Sequence, residues 1–252
     1  MLPFSSYPVR PGSFAAGLGS TIVVAPHPDD EALGCGGLLA LLRQAGQPVA
    51  AVLVSDGSMS HPASGQFSAV ARRAVREGEF RHALTVLGVA ETEPLLLNLP
   101  DGRVPGAAGM PGFAEAVIQL REFVASQKAA TILVPWRRDP HPDHRASSQL
   151  VAVALAGLVH PPRRLEYLVW AWERAAPADL PAGGDNVRGF RLDISAVQGQ
   201  KQRAIAAHRS QIAPGIFTDD PAGFLLSPAM LRHFAGPDEV FFEALSHESE
   251  ST

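Results

Sequence analysis

Short uninterrupted runs of aliphatic and β-branched residues recur along this chain, and stretches of helical periodicity separate them. The runs 21–25, 49–54, 95–97, 131–134 and 165–171 read as strands, and 189–194 as another, with Phe190, Leu192 and Ile194 alternating with polar residues. Between them, 31–43 reads as a helix through Leu38, Leu41 and Leu42, and 68–87 as a long charged helix closed by Gly88. Phe113, Ala116, Val117, Leu120 and Val124 form one helical stripe, and Ala146, Leu150, Val153, Ala154 and Gly157 another. Ser195-x-x-Gln198 reads as a capping box opening a helix through His208, and 240–245 as a closing strand. Strands that alternate with helices specify a mainly parallel sheet covered on both faces, because each parallel connection needs a long crossover. The expected fold is α/β, a single doubly wound domain over 20–252. An irregular arm over 1–19, with three prolines and three glycines, precedes it, and 172–188 is a loop inside the domain.

Length and charge narrow the partners. A chain of 252 residues can bury one large core. A net charge of −4 and a pI near 6.1 disfavour nucleic acid or an anionic membrane as a partner. The single cysteine, Cys35, excludes an internal disulfide and any multi-cysteine metal site. No apolar run reaches the roughly 18 residues of a membrane span. Residues 1–20 lack a basic segment followed by an apolar one, so the expected compartment is the cytoplasm.

Two segments carry the chemistry. Pro26-His27-Pro28-Asp29-Asp30-Glu31 follows the strand at 21–25, and Asp139-Pro140-His141-Pro142-Asp143-His144 follows the one at 131–134. Each lies at the carboxyl end of an expected parallel strand, the edge where open α/β sheets bind ligands. Carboxylates there also suit a helix N-terminus, so either segment alone could be a cap. Together they are what a hydrolytic metal site needs: N and O donors, a position for water and a free carboxylate. His27 and Asp30 are spaced for a tight turn that aims both at one ion, with Asp29 between them left as a base. His144 can supply a third ligand, with His141 beside it.

At these residues the chain resembles the LmbE-like, or PIG-L, N-acetylglucosaminyl deacetylases. The resemblance covers most of the chain and rests on His27-Pro28-Asp29-Asp30-Glu31 and His141-Pro142-Asp143-His144. Weaker matches are Ser55-Asp56-Gly57, Arg76-x-x-Glu79-x-x-x-Ala83-x-x-x-Leu87-Gly88, Leu99-Pro100-Asp101-Gly102 and Lys201-x-x-Ala204-x-x-x-His208-x-Ser210-Gln211. It implies a Rossmann-like sheet and a bound Zn2+, with Fe2+ or Co2+ as alternatives. It implies His27, Asp30 and His144 as metal ligands, Asp29 as general base and then proton donor, and His141 as stabiliser of the oxyanion. Asp143 would orient a neighbouring histidine. Some members carry a tyrosine two residues before the histidine that matches His141; here that residue is Asp139, so any role of such a tyrosine is absent or moved. Homo-oligomers occur among similar proteins.

Arg76 and Asp101 sit in matched motifs, as sugar-hydroxyl partners or as a structural ion pair. His208 is a satisfied core histidine or a residue near the substrate. Arg137, Arg138 and Arg145 flank the second cluster, to meet an anionic substrate group or to balance the acidic site. The oxyanion role that the resemblance implies is served best by a charged His141, its proton favoured by Asp139 or Asp143. Gly34-Cys35-Gly36-Gly37 is not a dinucleotide fingerprint, since position 39 is Leu; its glycines read as close helix–sheet packing and Cys35 as a small core residue. His61, His82, His160, His233 and His247 belong to no cluster and read as surface or packing residues. No G-x-S-x-G elbow exists. The expected function is zinc-dependent hydrolysis of the acetyl group of an N-acetylglucosamine-type conjugate, a small amino-sugar substrate. The alternatives are a metal-dependent amidase on a non-sugar N-acyl compound and a non-catalytic sugar- or metal-binding module.

Overall fold

Strand β2 (Thr21–Ala25) is buried along its whole length, with Ile22 and Val24 packed on one face of the sheet and Val23 and Ala25 on the other. A strand buried at every position needs a layer on each side. The computed structural model describes residues 3–182 and 184–245 and supplies those layers. The other strands are β1 (Val9–Arg10), β3 (Val49–Ser55), β4 (Leu95–Leu99), β5 (Thr131–Pro135), β6 (Arg163–Tyr167), β7 (Val187–Asp193) and β8 (Asp238–Ala244). They form one eight-stranded sheet in the order β1-β7-β8-β6-β5-β2-β3-β4. All pairings are parallel except those of β8, which runs antiparallel to both β6 and β7.

The helices are α1 (Asp30–Gln44), α2 (Ala69–Val86), α3 (Phe113–Ser126), α4 (Pro142–Ala156), α5 (Ala171–Arg174), α6 (Gln198–Ala207), α7 (Arg209–Ile212) and α8 (Pro228–His233). Apolar side chains of α1, α2 and α6 share a core with Val23, Ala25 and Leu133. Those of α3 and α4 share another with Ile22, Val24 and Ile132. No described helix is long and apolar enough to cross a membrane.

Several expectations change in detail. The arm is not irregular throughout: 3-10 turns at Pro3–Ser6 and Gly12–Leu18 flank β1, which adds a parallel edge strand to β7. The run at 165–171 stops as a strand at Tyr167, and Ala171 opens α5. The capping box does not form. Ser195 Oγ donates to Asp193 instead, a 3-10 turn spans Ser195–Val197, and α6 ends at Ala207 with His208 as its C-cap. The glycines of α1 do admit close neighbours: a Cβ at Gly34 would lie 2.2 Å from Tyr167 Cδ2, and one at Gly37 would lie 2.7 Å from Ile194 Cδ1. The helix is interrupted at Cys35 (φ −148°), a buried residue. Just beyond the break, Gly37 and Leu38 donate their N–H groups to the Glu239 carboxylate at 2.7 and 2.8 Å, which also takes Lys201 Nζ at 2.7 Å. His247 lies outside the described residues.

Candidate metal centre and cavity

From β2 the sheet extends through β3 and β4 on one side and through β5 and β6 on the other. That reversal opens a crevice at the carboxyl ends of β2 and β5. The turn 26–29 leaves β2 there, and the loop 136–141 leaves β5 and enters α4, whose N-cap is His141.

Asp30 lies between two histidines. Asp30 Oδ2 lies 3.2 Å from His27 Nδ1 and 3.1 Å from His144 Nε2. Bonds of about 2.0–2.1 Å in a tetrahedral zinc shell put neighbouring donors about 3.3 Å apart, so the spacing suits one ion. His144 is fully buried, and neither of its ring nitrogens makes a hydrogen bond. Its Nε2 lies 3.1 Å from Asp30 Oδ2 without making a hydrogen bond to it, which leaves the nitrogen's lone pair available to an ion. These residues fit a divalent cation.

A carboxylate faces the far side of each histidine. His27 Nε2 is 3.1 Å from Asp143 Oδ2 and 3.4 Å from Asp101 Oδ1; His144 Nδ1 is 3.4 Å from Asp139 Oδ1. Asp143 is fixed by the N–H groups of Gly102 and Val104 at 2.7 and 3.1 Å, and Asp139 by those of His141 and Trp170 at 3.0 and 3.1 Å. This carboxylate–histidine arrangement sets ring orientation and raises donor basicity. Asp139 thus has a task of its own where some similar proteins carry tyrosine. Two sets bring all of their donor atoms within 4.8 Å of one another, His27 with His141 and His144, and His27 with Asp101 and Asp143, whereas His27 and His144 are linked through Asp30 by its two contacts. Asp143 already accepts three hydrogen bonds, which makes the latter set the poorer donor.

Charge follows from this packing. Burial opposes a proton on His144, but Asp30 and Asp139 outweigh it and lift the ring to about 9. His27 is raised well above its ordinary value, burial again being outweighed, by Asp101, Asp143 and Asp30. Asp30 is lowered: burial pushes it up, but His144 and His27 pull it further down. The site therefore demands positive charge among its carboxylates. Asp29 goes the other way, up to about 7, chiefly through burial, with Arg76 opposing and Asp30 adding. His141 corrects the expectation of a charged ring: burial, then His144 and His27, bring it down to about 4. Its Nδ1 accepts the Asp143 N–H at 3.2 Å, so the proton of the neutral ring is on Nε2.

A cavity of about 280 Å³ opens onto the cluster. His27, Asp29, Asp30, Arg76, Asp101 and His141 line its polar side. Leu33, Met59, Val169, Trp170, Phe224 and Leu226 form an apolar wall, with Arg174 beside them, its guanidinium 4.0 Å from the centre of the Trp170 ring. Arg76 is buried and largely engaged, donating to Pro28 O at 2.8 Å, Gly57 O at 3.1 Å and Asp29 Oδ2 at 3.4 Å. Asp101 accepts the Met59 N–H at 2.8 Å. His208 does not line the cavity; it is buried 2.7 Å from Glu31 Oε1. Arg137 pairs with Glu166, Arg138 with Asp185, and Arg145 donates to Asp139 O and Pro140 O, so all three are engaged away from the cavity. The wall is not legible in the sequence because its members come from four separate segments with no shared spacing.

A sequence model described as "PIG-L: GlcNAc-PI de-N-acetylase" matches residues 22–155. The diacetylchitobiose deacetylase of Thermococcus kodakarensis is 28% identical over 204 residues, 78% of this chain and 71% of the relative. The 2'-N-acetylparomamine deacetylase of Streptomyces fradiae is 33% identical over 220 residues, 77% of this chain and 74% of the relative. Among solved structures, the N,N'-diacetylchitobiose deacetylase of Pyrococcus horikoshii in complex with an inhibitor superposes with a TM-score of 0.63. That match covers 88% of this chain and 82% of the other at 23% identity, which speaks for the shared fold.

Proposed function

Because this chain belongs to the PIG-L family, we propose that it is a metal-dependent N-deacetylase that hydrolyses the acetyl amide of an N-acetylglucosamine-type conjugate. The observation that supports the reading is the contact of Asp30 Oδ2 with His27 Nδ1 at 3.2 Å and His144 Nε2 at 3.1 Å, next to a buried carboxylate, Asp29, that lines a cavity. His27, Asp30 and His144 would hold the ion, with Zn2+ the first choice and Fe2+ or Co2+ the alternatives. When bound, a divalent cation there supplies Lewis acidity toward the carbonyl and makes a coordinated water more acidic.

The chain's own groups do the rest. Asp29 takes a proton from the attacking water as a new C–O bond forms at the amide carbon. His141 donates its Nε2–H to the oxygen on which negative charge develops. Asp29 then returns the proton to the leaving nitrogen as the C–N bond breaks, giving acetate and a free amine. Asp143 and Asp139 keep the rings of His27 and His144 turned toward the ion. Arg76 fixes Asp29, and Asp101 and the apolar wall receive the sugar and its substituent. The proposed domain spans 20–252, and the proposed compartment is the cytoplasm.

The test is a panel of N-acetylated amino sugars, glycosides and amino acids, incubated with zinc-loaded protein and assayed for free amine. Release from sugars above that from amino acids supports the reading. Release from N-acyl amino acids alone would make the protein an amidase of another substrate class. His144→Ala should bind much less zinc and lose release from every member; elemental analysis showing full zinc in that variant would remove His144 from the ligand set.

A further inference from the structure

We propose that Glu31 and His208 form a buried strut that holds the Asp29 backbone in the conformation its work requires, a proposal that rests on Asp29 being the base. Asp29 has φ 133° and ψ −29°, a region that suits glycine and that a residue with a side chain rarely adopts. Something must hold it there. The peptide between Pro28 and Asp29 is pinned at both edges. Its carbonyl accepts from Arg76 at 2.8 Å, and its N–H donates to Glu31 Oε2 at 3.1 Å. The orientation of that peptide plane is the φ of Asp29. On the other side, the Asp29 carbonyl accepts the N–H groups of Ala32 and Leu33 at 3.1 and 2.9 Å, which ties it to α1.

Glu31 is itself fixed. Its Oε1 lies 2.7 Å from His208 Nε2, and both residues are buried. His208 Nδ1 has no hydrogen-bond partner, so the ring proton belongs on Nε2, donated to Glu31. His208 stands at the α6–α7 junction. That junction is anchored to α2, where Glu79 accepts from Ser210 N and Oγ at 2.8 and 2.6 Å. The spacing Arg76-x-x-Glu79 on one helix and His208-x-Ser210 on another thereby acquires a reason. One helix pins the Pro28 carbonyl through Arg76 and, through Glu79, the junction whose histidine holds Glu31. Neither Glu31 nor His208 lines the cavity, so both are positioning residues.

Glu31→Ala, His208→Ala, the double variant and Glu31→Gln test this in metal-loaded protein on the best substrate of the panel. A displacement of about 1 Å at a reacting group costs up to about 10²-fold in rate. Glu31→Ala is therefore expected to lose about tenfold or more in kcat, with KM and zinc content near those of the parent. Glu31→Gln keeps an oxygen for the Asp29 N–H and should recover much of the loss. The double variant should be no slower than Glu31→Ala, because the two residues act in series. Independently of activity, amide exchange followed by NMR should show the Asp29 N–H losing protection in Glu31→Ala while β2 keeps its own. A folded, zinc-replete Glu31→Ala with the parental kcat, or with Asp29 exchange unchanged, overturns the strut. If Glu31→Ala does not fold, the same measurements on His208→Ala support or overturn the strut in the same way. If the parent releases amine from no member of the panel, the deacetylase reading fails, and the exchange measurement still decides the strut.

Discussion

Asp29 and His141 face one cavity and are driven toward opposite protonation habits by the same burial. Asp29 is raised to about 7, so its proton-accepting form is gained as pH rises. A cation beside it lowers that value, so the acid limb of kcat/KM should fall at or below about 7, with activity increasing through it. Asp29→Asn should remove most turnover, roughly 10² to 10⁴-fold for a general base, with zinc retained. A pH-rate series with metal analysis checks both. His141 is brought down to about 4, so near neutral pH it serves as an N–H donor without charge. His141→Ala should cost roughly 10² to 10³ in kcat, as for the loss of one oxyanion donor, and leave the alkaline side of the profile in place. If the variant abolishes an alkaline limb seen in the parent, the ring was charged after all. At this scale the sequence reveals residue types and spacing. It does not reveal that burial, together with the nearness of His144 and His27, deprives His141 of its proton, because burial and the approach of His27 depend on packing between distant segments of the chain.

The helix that carries Asp30 shows what can be read one level up. The runs at 21–25 and 131–134 are legible because a strand covered on both faces is a nearly continuous apolar run, here broken only by its opening threonine. The glycines of α1 are legible as close-packing residues because the dinucleotide pattern fails at Leu39. Gly34→Ala makes that testable: the added methyl would sit 2.2 Å from the buried Tyr167 ring, whose hydroxyl donates to Val24 O at 2.8 Å. Overpacking of this kind costs about 1–3 kcal/mol or more, read as a lower denaturation midpoint, and should also reduce zinc affinity, since α1 presents Asp30. Parental stability would mean that Tyr167 can move aside. The capping box expected at Ser195 fails because an aspartate two residues earlier competes for the same hydroxyl, and local side-chain bonds of this sort outbid a helix cap.

Across the whole molecule, the sequence points to a parallel sheet but not to its seam. The last strand, β8, enters antiparallel between β6 and β7, a placement that no periodicity encodes, since an edge strand and an inserted one have the same apolar pattern. Nor can β1 be foreseen, because two residues carry no period at all. Yet the arm is firmly docked. Phe4 is 2% exposed, with its ring centre 5.0 Å from that of Trp172 and 6.1 Å from that of Phe242. Phe4→Ala should therefore cost about 3–5 kcal/mol in a denaturant titration, the loss typical of a core aromatic, where a loose arm would show almost none. The pairing of Val9 with Arg191 has a further meaning in time. During synthesis at about 5–20 residues per second, β1 leaves the ribosome roughly 10–40 s before the strand it pairs with. The strand made earlier therefore waits while the intervening part of the chain is synthesised. In that interval the aromatic side chain of Phe4 lacks the partners that bury it in the fold, and this edge of the sheet closes only once β7 has emerged.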